Sequence, residues 1–324
     1  MSLIEKTNED ELFLAKARGN LLYKPEFDYK EILQTILRDG IKKQNRTGID
    51  TLSVFNTIWD SGNLLELGYF PLMSCRKYFF KGALVELFWI LGILQKQNPI
   101  KGLDRNNIAY LKREGVNYWD KWADDNGNLG PVYGSQLCEW EYKKYRYSDL
   151  YDELYIDEEE FINQIQNIID TLRKNPDDRR MVFSMWNPGE LQFMKLPPCH
   201  WGGEFYSEPQ KDGSRKLHLR WIQRSCDFPV GVPYDITMYA LLLVMMSKMT
   251  NHIPGKIIGL FGDSHIYENQ IDGVKEMINA PDIIPPNLIY TGPDYVESLY
   301  DFQLDWFKLE NYKPYKTINL PVAV

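Results

Sequence analysis

Two stretches decide how this chain is read: Leu196-Pro197-Pro198-Cys199-His200 and Gln223-Arg224-Ser225-Cys226-Asp227. Each proline fixes its own φ and removes a backbone donor, so Cys199 stands at the mouth of a rigid turn. An arginine brought beside such a cysteine lowers its thiol pKa and supplies a thiolate at neutral pH, and Arg224 is the candidate. A lone cysteine is more often a small buried hydrophobe. Cys-His adjacency also suggests a cysteine protease, but the base in those enzymes comes from a distant part of the chain.

Outward from these stretches, residues 180–186, 203–206 and 217–223 carry the β-branched, aromatic and alternating residues of strands. Residues 234–249 predict a long apolar helix, and 257–262 a short buried strand. Upstream, Ile32, Leu33, Ile36, Leu37 and Ile41 recur at helical spacing, which predicts an amphipathic helix over 29–43. Residues 51–55 begin a strand. Residues 81–94 are apolar nearly all round, the pattern of a buried helix, with Glu86 inside the run. Residues 95–108 read as a loop, 141–160 as a surface insertion rich in Tyr, Asp and Glu, and 159–174 as a second amphipathic helix. Residues 1–25 are polar and read as a loose arm, and residues 26–324 as one domain. Sheets mixed with long buried helices predict an α/β or α+β fold.

The bulk properties narrow the function. The 324 residues are 44% hydrophobic and 25% charged, with a net charge of -8 and a pI near 5.2. Long-range electrostatics therefore do not favour nucleic acid or an anionic membrane as partner, and an anionic substrate needs a local arginine cluster. No run of 18 apolar residues predicts a membrane span, and the first residues lack a signal-peptide pattern. Cys75, Cys138, Cys199 and Cys226 show no metal-ligand spacing, which predicts a metal-free, reduced, cytoplasmic protein.

The chemistry-bearing residues form a constellation. Arg46, Arg179, Arg180 and Arg224 have the guanidinium fork that chelates a phosphate, although any single arginine is more often a surface ion pair. Glu86 on an apolar helix is either a carboxylate satisfied by backbone donors or a proton-transfer group with a raised pKa. Trp119 and Trp122 lie near one helical face, as core or as a stacking platform for a flat heteroaromatic ring. His265 and Tyr267 are two apart, so both face one way on an extended segment and suit a sugar hydroxyl.

In order along the chain, Arg46-Thr47-Gly48, Val85-Glu86-Leu87, Tyr118-Trp119-Asp120-Lys121-Trp122-Ala123, Leu129-Gly130-Pro131-Val132-Tyr133-Gly134, Asp178-Arg179-Arg180, the two opening stretches, Gly231-Val232-Pro233-Tyr234, Gly262-Asp263-Ser264-His265-Ile266-Tyr267 and Pro321-Val322-Ala323-Val324 resemble the thymidylate synthase family. The resemblance implies a three-layer fold with a mixed sheet, and a homodimer packed sheet to sheet. It implies one-carbon transfer from 5,10-methylenetetrahydrofolate to C5 of a pyrimidine nucleotide 5′-monophosphate. Cys199 is then the nucleophile that adds at C6, and Glu86, Tyr133 and His200 form the proton-transfer network. Arg46, Arg224 and Ser225 hold the phosphate from within, and Arg179 and Arg180 reach it from the partner. Asp227 binds the pterin and belongs with the catalytic set. Trp119, Trp122, Leu196, Gly231, Tyr234, Ala323 and Val324 surround the folate, His265 and Tyr267 hold the 3′-hydroxyl, and Val324 closes over the site.

One departure matters most. Where the family carries an asparagine that reads the base, this chain has Asp235. An amide donates to uracil O4 and accepts from N3–H, whereas an ionised aspartate only accepts. Cytosine offers an N4 donor, and its N3 becomes a donor once protonated. Asp235 therefore predicts dCMP, and the chain resembles the deoxycytidylate hydroxymethylases that some phages use to modify their DNA. If Asp235 is protonated or turned away, the substrate is dUMP. Hydride gives a methyl product and water a hydroxymethyl product, and the aspartate leans toward the second. Gly202 and Gly203, which replace bulkier family residues, are expected to open space near the nucleophile or the dimer sheet. An insertion at 95–106 is expected to reshape the folate entrance, and Pro229 stands where the family has a larger residue. A catalytically silent nucleotide- or RNA-binding regulator is the alternative from another class, against which Cys199, Glu86 and the arginines argue.

Overall fold

The computed structural model describes residues 24–148 and 153–322. In chain order its main elements are α1 (Lys24–Asp39), β1 (Ile41–Lys43), β2 (Thr51–Asp60), α2 (Phe80–Ile90), α3 (Ile93–Gln97), α4 (Ala109–Arg113), α5 (Gly134–Cys138), β3 (Trp140–Ser148), β4 (Glu153–Ile162), α6 (Gln164–Lys174), β5 (Val182–Ser184), β6 (His200–Pro209), β7 (Arg215–Asp227), α7 (Gly231–Thr250), β8 (Ile253–Tyr267), α8 (Ile271–Ile278), β9 (Asn287–Tyr290) and β10 (Phe307–Glu310). The fold is mixed α/β, as the sequence predicts. Of the predicted arm, residues 1–23 lie outside the described residues, and Lys24 already opens α1.

Six strands form the central sheet in the order β1-β2-β8-β7-β6-β5. Its pairings are antiparallel except for β7 beside β8. That parallel pair needs a crossover, and α7 supplies it. α7 is apolar all round and buried along most of its length, packed between the sheet and the equally apolar α2. On the other sheet face lie exposed apolar side chains, among them Phe55 at 84% and Tyr206 at 61% exposure. Among the described residues β3 and β4 pair only with each other, in the segment read as an insertion.

Several boundaries differ from the sequence reading, each for a local reason. The first helix ends at Asp39 because Gly40 turns back onto it, its N–H donating to Ile36 O at 3.0 Å. A Cβ at Gly40 would lie 2.2 Å from that same oxygen, so only glycine fits. Residues 41–43 then pair with 51–53 as an edge strand. The buried helix stops at Gly92, whose φ of +78° ends α2 and redirects the chain into α3. The second amphipathic helix starts only at Gln164, where the Asn163 side chain accepts from Gln166 N–H at 2.9 Å. The strand expected over 257–262 is the middle of β8, which spans 15 residues because it pairs on both sides.

Gly202 and Gly203 open no space. A Cβ on Gly203 would sit 2.6 Å from both Arg220 O and the Phe183 ring, and one on Gly202 3.0 Å from Phe183 O. Glycine is needed there so that β5, β6 and β7 can close around the Phe183 ring. The insertion at 95–106 likewise stays off the cleft described below. Arg105 donates to Ile90 O and pairs with Glu139, and Asn106 donates to Gly130 O, so the segment caps α2 and α5.

Candidate active site

A cleft of about 410 Å³ opens where the ends of β7 and β8, the start of β6, the first turn of α7 and the 117–122 loop converge. Its walls include Arg46, Glu86, Trp119, Trp122, Tyr133, Leu196, Cys199, His200, Ser225, Asp227, Gly231, Tyr234, Asp235, His265 and Tyr267. Of the residues singled out from sequence, Arg179, Arg180 and Arg224 do not line it, and Ala323 and Val324 lie outside the described residues. Neighbouring Val322 does line it.

Cys199 is half-buried just before β6. Its N–H donates to Tyr133 Oη at 3.0 Å, and its carbonyl accepts from Arg224 N–H at 2.8 Å. The Arg224 guanidinium turns to the two prolines, donating from Nε to Pro198 O at 2.9 Å and from Nη2 to Pro197 O at 3.0 Å. It stacks over Trp186 and so braces the nucleophile's turn. Burial raises the Cys199 thiol above its ordinary range, and Asp235 adds to the rise. Arg224, Tyr133 and Arg46 act the other way but do not overcome it. The expected resting thiolate is thus corrected: desolvation outweighs the guanidinium, and the thiol is the resting form.

His200 is buried and held near a pKa of about 3 by desolvation, so it is neutral. Its Nδ1 shares a proton with Tyr239 Oη at 2.8 Å, and its ring lies 4.5 Å from that of Tyr133. Tyr133 itself has φ of +25°, a conformation rare for a side-chain-bearing residue and of the kind found at functional sites. Asp235 Oδ1 lies 3.8 Å from His200 Nε2. Its Oδ2 accepts from Gln223 Nε2 at 2.8 Å, while Gln223 Oε1 accepts from Trp221 Nε1 at 3.2 Å. An indole only donates, so Trp221 fixes which way the Gln223 amide points. Burial raises the Asp235 pKa well above the carboxylate range; Gln223 opposes this, and the charges of Glu86 and Asp227 add to it.

Glu86 projects from α2 with both oxygens engaged. Tyr118 Oη donates to Oε2 at 2.6 Å and Trp119 Nε1 to Oε1 at 2.9 Å. Burial raises its pKa and the two donors lower it. Trp119 is therefore a donor to Glu86, wedged among the rings of Trp89, Trp122 and Tyr133, as well as a wall of the cleft. Trp122 Nε1 is buried with no partner.

Asp227 closes β7. Burial lifts its carboxyl to a pKa of about 6 against the pull of His265 and Gln270. Oδ2 accepts from Gln270 Nε2 at 3.3 Å, and Oδ1 is buried without a partner. Gln270 also donates to Pro321 O at 2.9 Å, which ties this corner to the C-terminal segment. His265 Nδ1 faces Asp263 Oδ1 at 3.1 Å. Asp263 also accepts from Lys43 and Ser53, and these hydrogen bonds, His265's first, hold its carboxyl well below the usual range. The His265 and Tyr267 rings stand 5.3 Å apart on one edge of the cleft. Arg46 reaches that edge from the loop before β2.

Arg179 and Arg180 are exposed on the turn after α6 and do not reach the cleft of their own chain. The sequence reading gave no site role to Tyr118, Gln223 or Tyr239. Tyr118 and Gln223 stood inside quoted motifs, and Tyr239 follows Asp235 by one helical turn on α7. Among the described residues no group of three or more His, Cys, Asp or Glu could hold a metal ion, and no helix is long and apolar enough to cross a membrane. The family model described as thymidylate synthase matches residues 27–324, and the chain belongs to that family. It is a one-carbon transferase that acts on a pyrimidine nucleotide monophosphate with methylenetetrahydrofolate as co-substrate.

Proposed function

We propose that this member of the thymidylate synthase family moves the one-carbon unit to C5 of dCMP, through a covalent bond between Cys199 Sγ and C6, and releases the 5-hydroxymethyl nucleotide. The observation that carries the base assignment is the chain from Trp221 through Gln223 to Asp235. It commits Asp235 Oδ2 as an acceptor and leaves Oδ1 for the base. A carboxylate oxygen suits the N4 amino group of cytosine and opposes uracil O4. One proton shared between Asp235 and cytosine N3 gives a complementary pair on whichever side it sits. The buried, proton-retaining environment of Asp235 agrees with that sharing.

A second reading has its own support. A neutral Asp235 carboxyl donates and accepts as an asparagine does, and burial favours the neutral form. The substrate is then dUMP. Uracil is complementary only while Asp235 itself holds the proton.

The remaining roles follow from placement in the cleft. The resting Cys199 thiol gives up its proton to solvent water in the cleft. The thiolate adds at C6, and the C5–C6 electron pair moves to C5, which takes up the one-carbon unit that methylenetetrahydrofolate supplies when bound. Glu86 receives the C5 proton through water, and the electron pair left at C5 expels tetrahydrofolate. Water then adds to the exocyclic methylene on the base, and the returning electron pair breaks the S–C6 bond and frees Cys199. Tyr133 and neutral His200 hold the nucleophile's surroundings. Ser225 and Arg46 take the phosphate, and His265 and Tyr267 the 3′-hydroxyl. The folate fits on donor chemistry: Asp227 Oδ1 and Trp122 Nε1 are an acceptor and a donor, each buried without a partner. Leu196, Gly231, Tyr234 and Val322 complete that wall. Residues 26–324 act as one catalytic domain.

A homodimer packed through the exposed sheet face completes the site. The apolar side chains there, Phe55, Ile58, Val182 and Tyr206, support this pairing. Arg179 and Arg180, absent from their own cleft, then serve the phosphate of the partner.

Trapping tests the whole reading. A fluorine at C5 cannot leave as a proton, so the covalent complex stalls. Incubation with methylenetetrahydrofolate and 5-fluoro-dCMP should add both molecules to the intact protein mass, and Cys199→Ala should abolish the gain. Trapping by 5-fluoro-dUMP alone would establish the second reading, and trapping by neither would remove Cys199 as nucleophile.

A further inference from the structure

Two neighbours in sequence grip the two oxygens of Glu86, and both are neutral donors. Both donors favour the ionised Glu86, and burial opposes them. Without them a buried carboxyl with no cation beside it stays protonated and cannot act as a base.

The Tyr118 hydroxyl has a second partner, Gly82 O at 3.2 Å. Gly82 lies one turn before Glu86 on α2. A phenol has one proton, so it serves one acceptor at a time. With Glu86 ionised, the proton points to Oε2, the shorter and charge-assisted contact. With Glu86 protonated, Glu86 donates to Tyr118 Oη, and the Tyr118 proton turns to Gly82 O. Both states give every donor an acceptor, and no heavy atom moves.

We propose that Tyr118 is a positioning residue that carries Glu86 through its proton cycle, biasing the buried carboxyl toward the ionised form and completing its hydrogen bonds after it takes a proton. The proposal rests on the reading of Glu86 as the proton-transfer group. At that step the C5–H bond breaks, its electron pair stays with the nucleotide, and the proton passes through one water to Glu86. The Tyr118 proton then swings to Gly82 O. Packing beside Tyr234 and Tyr78 holds the ring assembly in place, with the Tyr118 and Tyr234 centroids 6.2 Å apart. The phenol stays protonated throughout, because burial and the nearby charges of Glu86 and Asp235 raise its own pKa further. The titratable groups facing Glu86 are Tyr118 on its loop, Asp235 on α7 and Tyr133 before α5; the Glu86 charge raises the pKa of each.

The test is a carboxyl titration. Protein labelled with carboxyl-¹³C glutamate is followed by NMR from pH 4 to 9, and the Glu86 signal is identified by its loss in Glu86→Gln. In Tyr118→Phe, which keeps the ring, the Glu86 midpoint should rise by about one pH unit, because a hydrogen bond to the charged form has been removed. The acid limb of kcat should move up with it, kcat at a pH on that limb should fall about tenfold, and KM for the nucleotide should stay within about threefold. An unmoved Glu86 titration, or a loss confined to KM, would overturn the proposal. If the titration shifts while wild-type protein turns over neither nucleotide, the functional reading fails and the role of Tyr118 toward Glu86 stands.

Discussion

Replacing Asp235 by asparagine should exchange the base preference, and the structure allows the size of the effect to be worked out. Trp221 holds Gln223 so that its Nε2 faces residue 235. An asparagine there must turn its carbonyl to Gln223, which aims its NH2 at the base. Toward cytosine that group meets the N4 amino donor. One hydrogen bond is lost, at about 1 kcal/mol, and two buried donors are left facing each other, at about 1–3 kcal/mol more. Toward uracil the same NH2 meets O4, and a bond is gained. The two changes together come to about 3–5 kcal/mol, or a swing of about 10² to 10³·⁵ in the ratio of kcat/KM for dCMP over dUMP. Initial rates with each nucleotide at saturating methylenetetrahydrofolate give the ratio for both proteins. A ratio that moves by less than about threefold would show that residue 235 does not read the base.

Further outcomes follow from other parts of the molecule. Glu26 is buried, accepts from Ser74 N–H at 3.0 Å, and is lifted by desolvation to a pKa of about 7. Because this carboxyl is raised, the folded state binds its proton more tightly than the unfolded one between pH 4.5 and 7, and the corresponding stability is lost as pH climbs through that window. Denaturant melts should therefore show Glu26→Gln gaining on wild type by about 3 kcal/mol between pH 4.5 and 8, and a pH-independent difference would refute the burial argument. Gly203→Ala places a Cβ 2.6 Å from Arg220 O and should lower stability by about 1–3 kcal/mol, read as a reduced melting temperature; an unchanged melt would mean that the strands are less tightly closed than described. Arg180→Ala and Cys199→Ala proteins, each inactive, should regain up to about a quarter of wild-type activity when unfolded together and refolded, because half the dimers are mixed and each has one intact site. No recovery would place Arg180 outside the partner's site.

Much of the site was legible because its residues sit in short motifs whose chemistry is local. Cys199 behind its two prolines, Glu86 in its apolar run, and His265 with Tyr267 on an extended segment all line one cleft. What escaped the sequence depends on contacts between distant segments. Nothing in the residues around Tyr118 announces that its hydroxyl meets a carboxylate 32 positions earlier. The thiol of Cys199 illustrates the same limit: the neighbouring arginine is visible in the sequence, but the desolvation that outweighs it is a property of the packed cleft. Glycines mislead in the same way, since Gly203 reads as open space until the Phe183 ring is seen to fill it. Helix ends were misplaced at Gly40 and Gly92, where a backbone approach or a positive φ overrides an apolar pattern that runs on.

The most direct test of the account is one reaction mixture holding the protein, methylenetetrahydrofolate and equal dCMP and dUMP, with the nucleotides resolved by mass. The account predicts a gain of CH₂O on the cytosine nucleotide. A gain of any one-carbon group on the uracil nucleotide alone would contradict it.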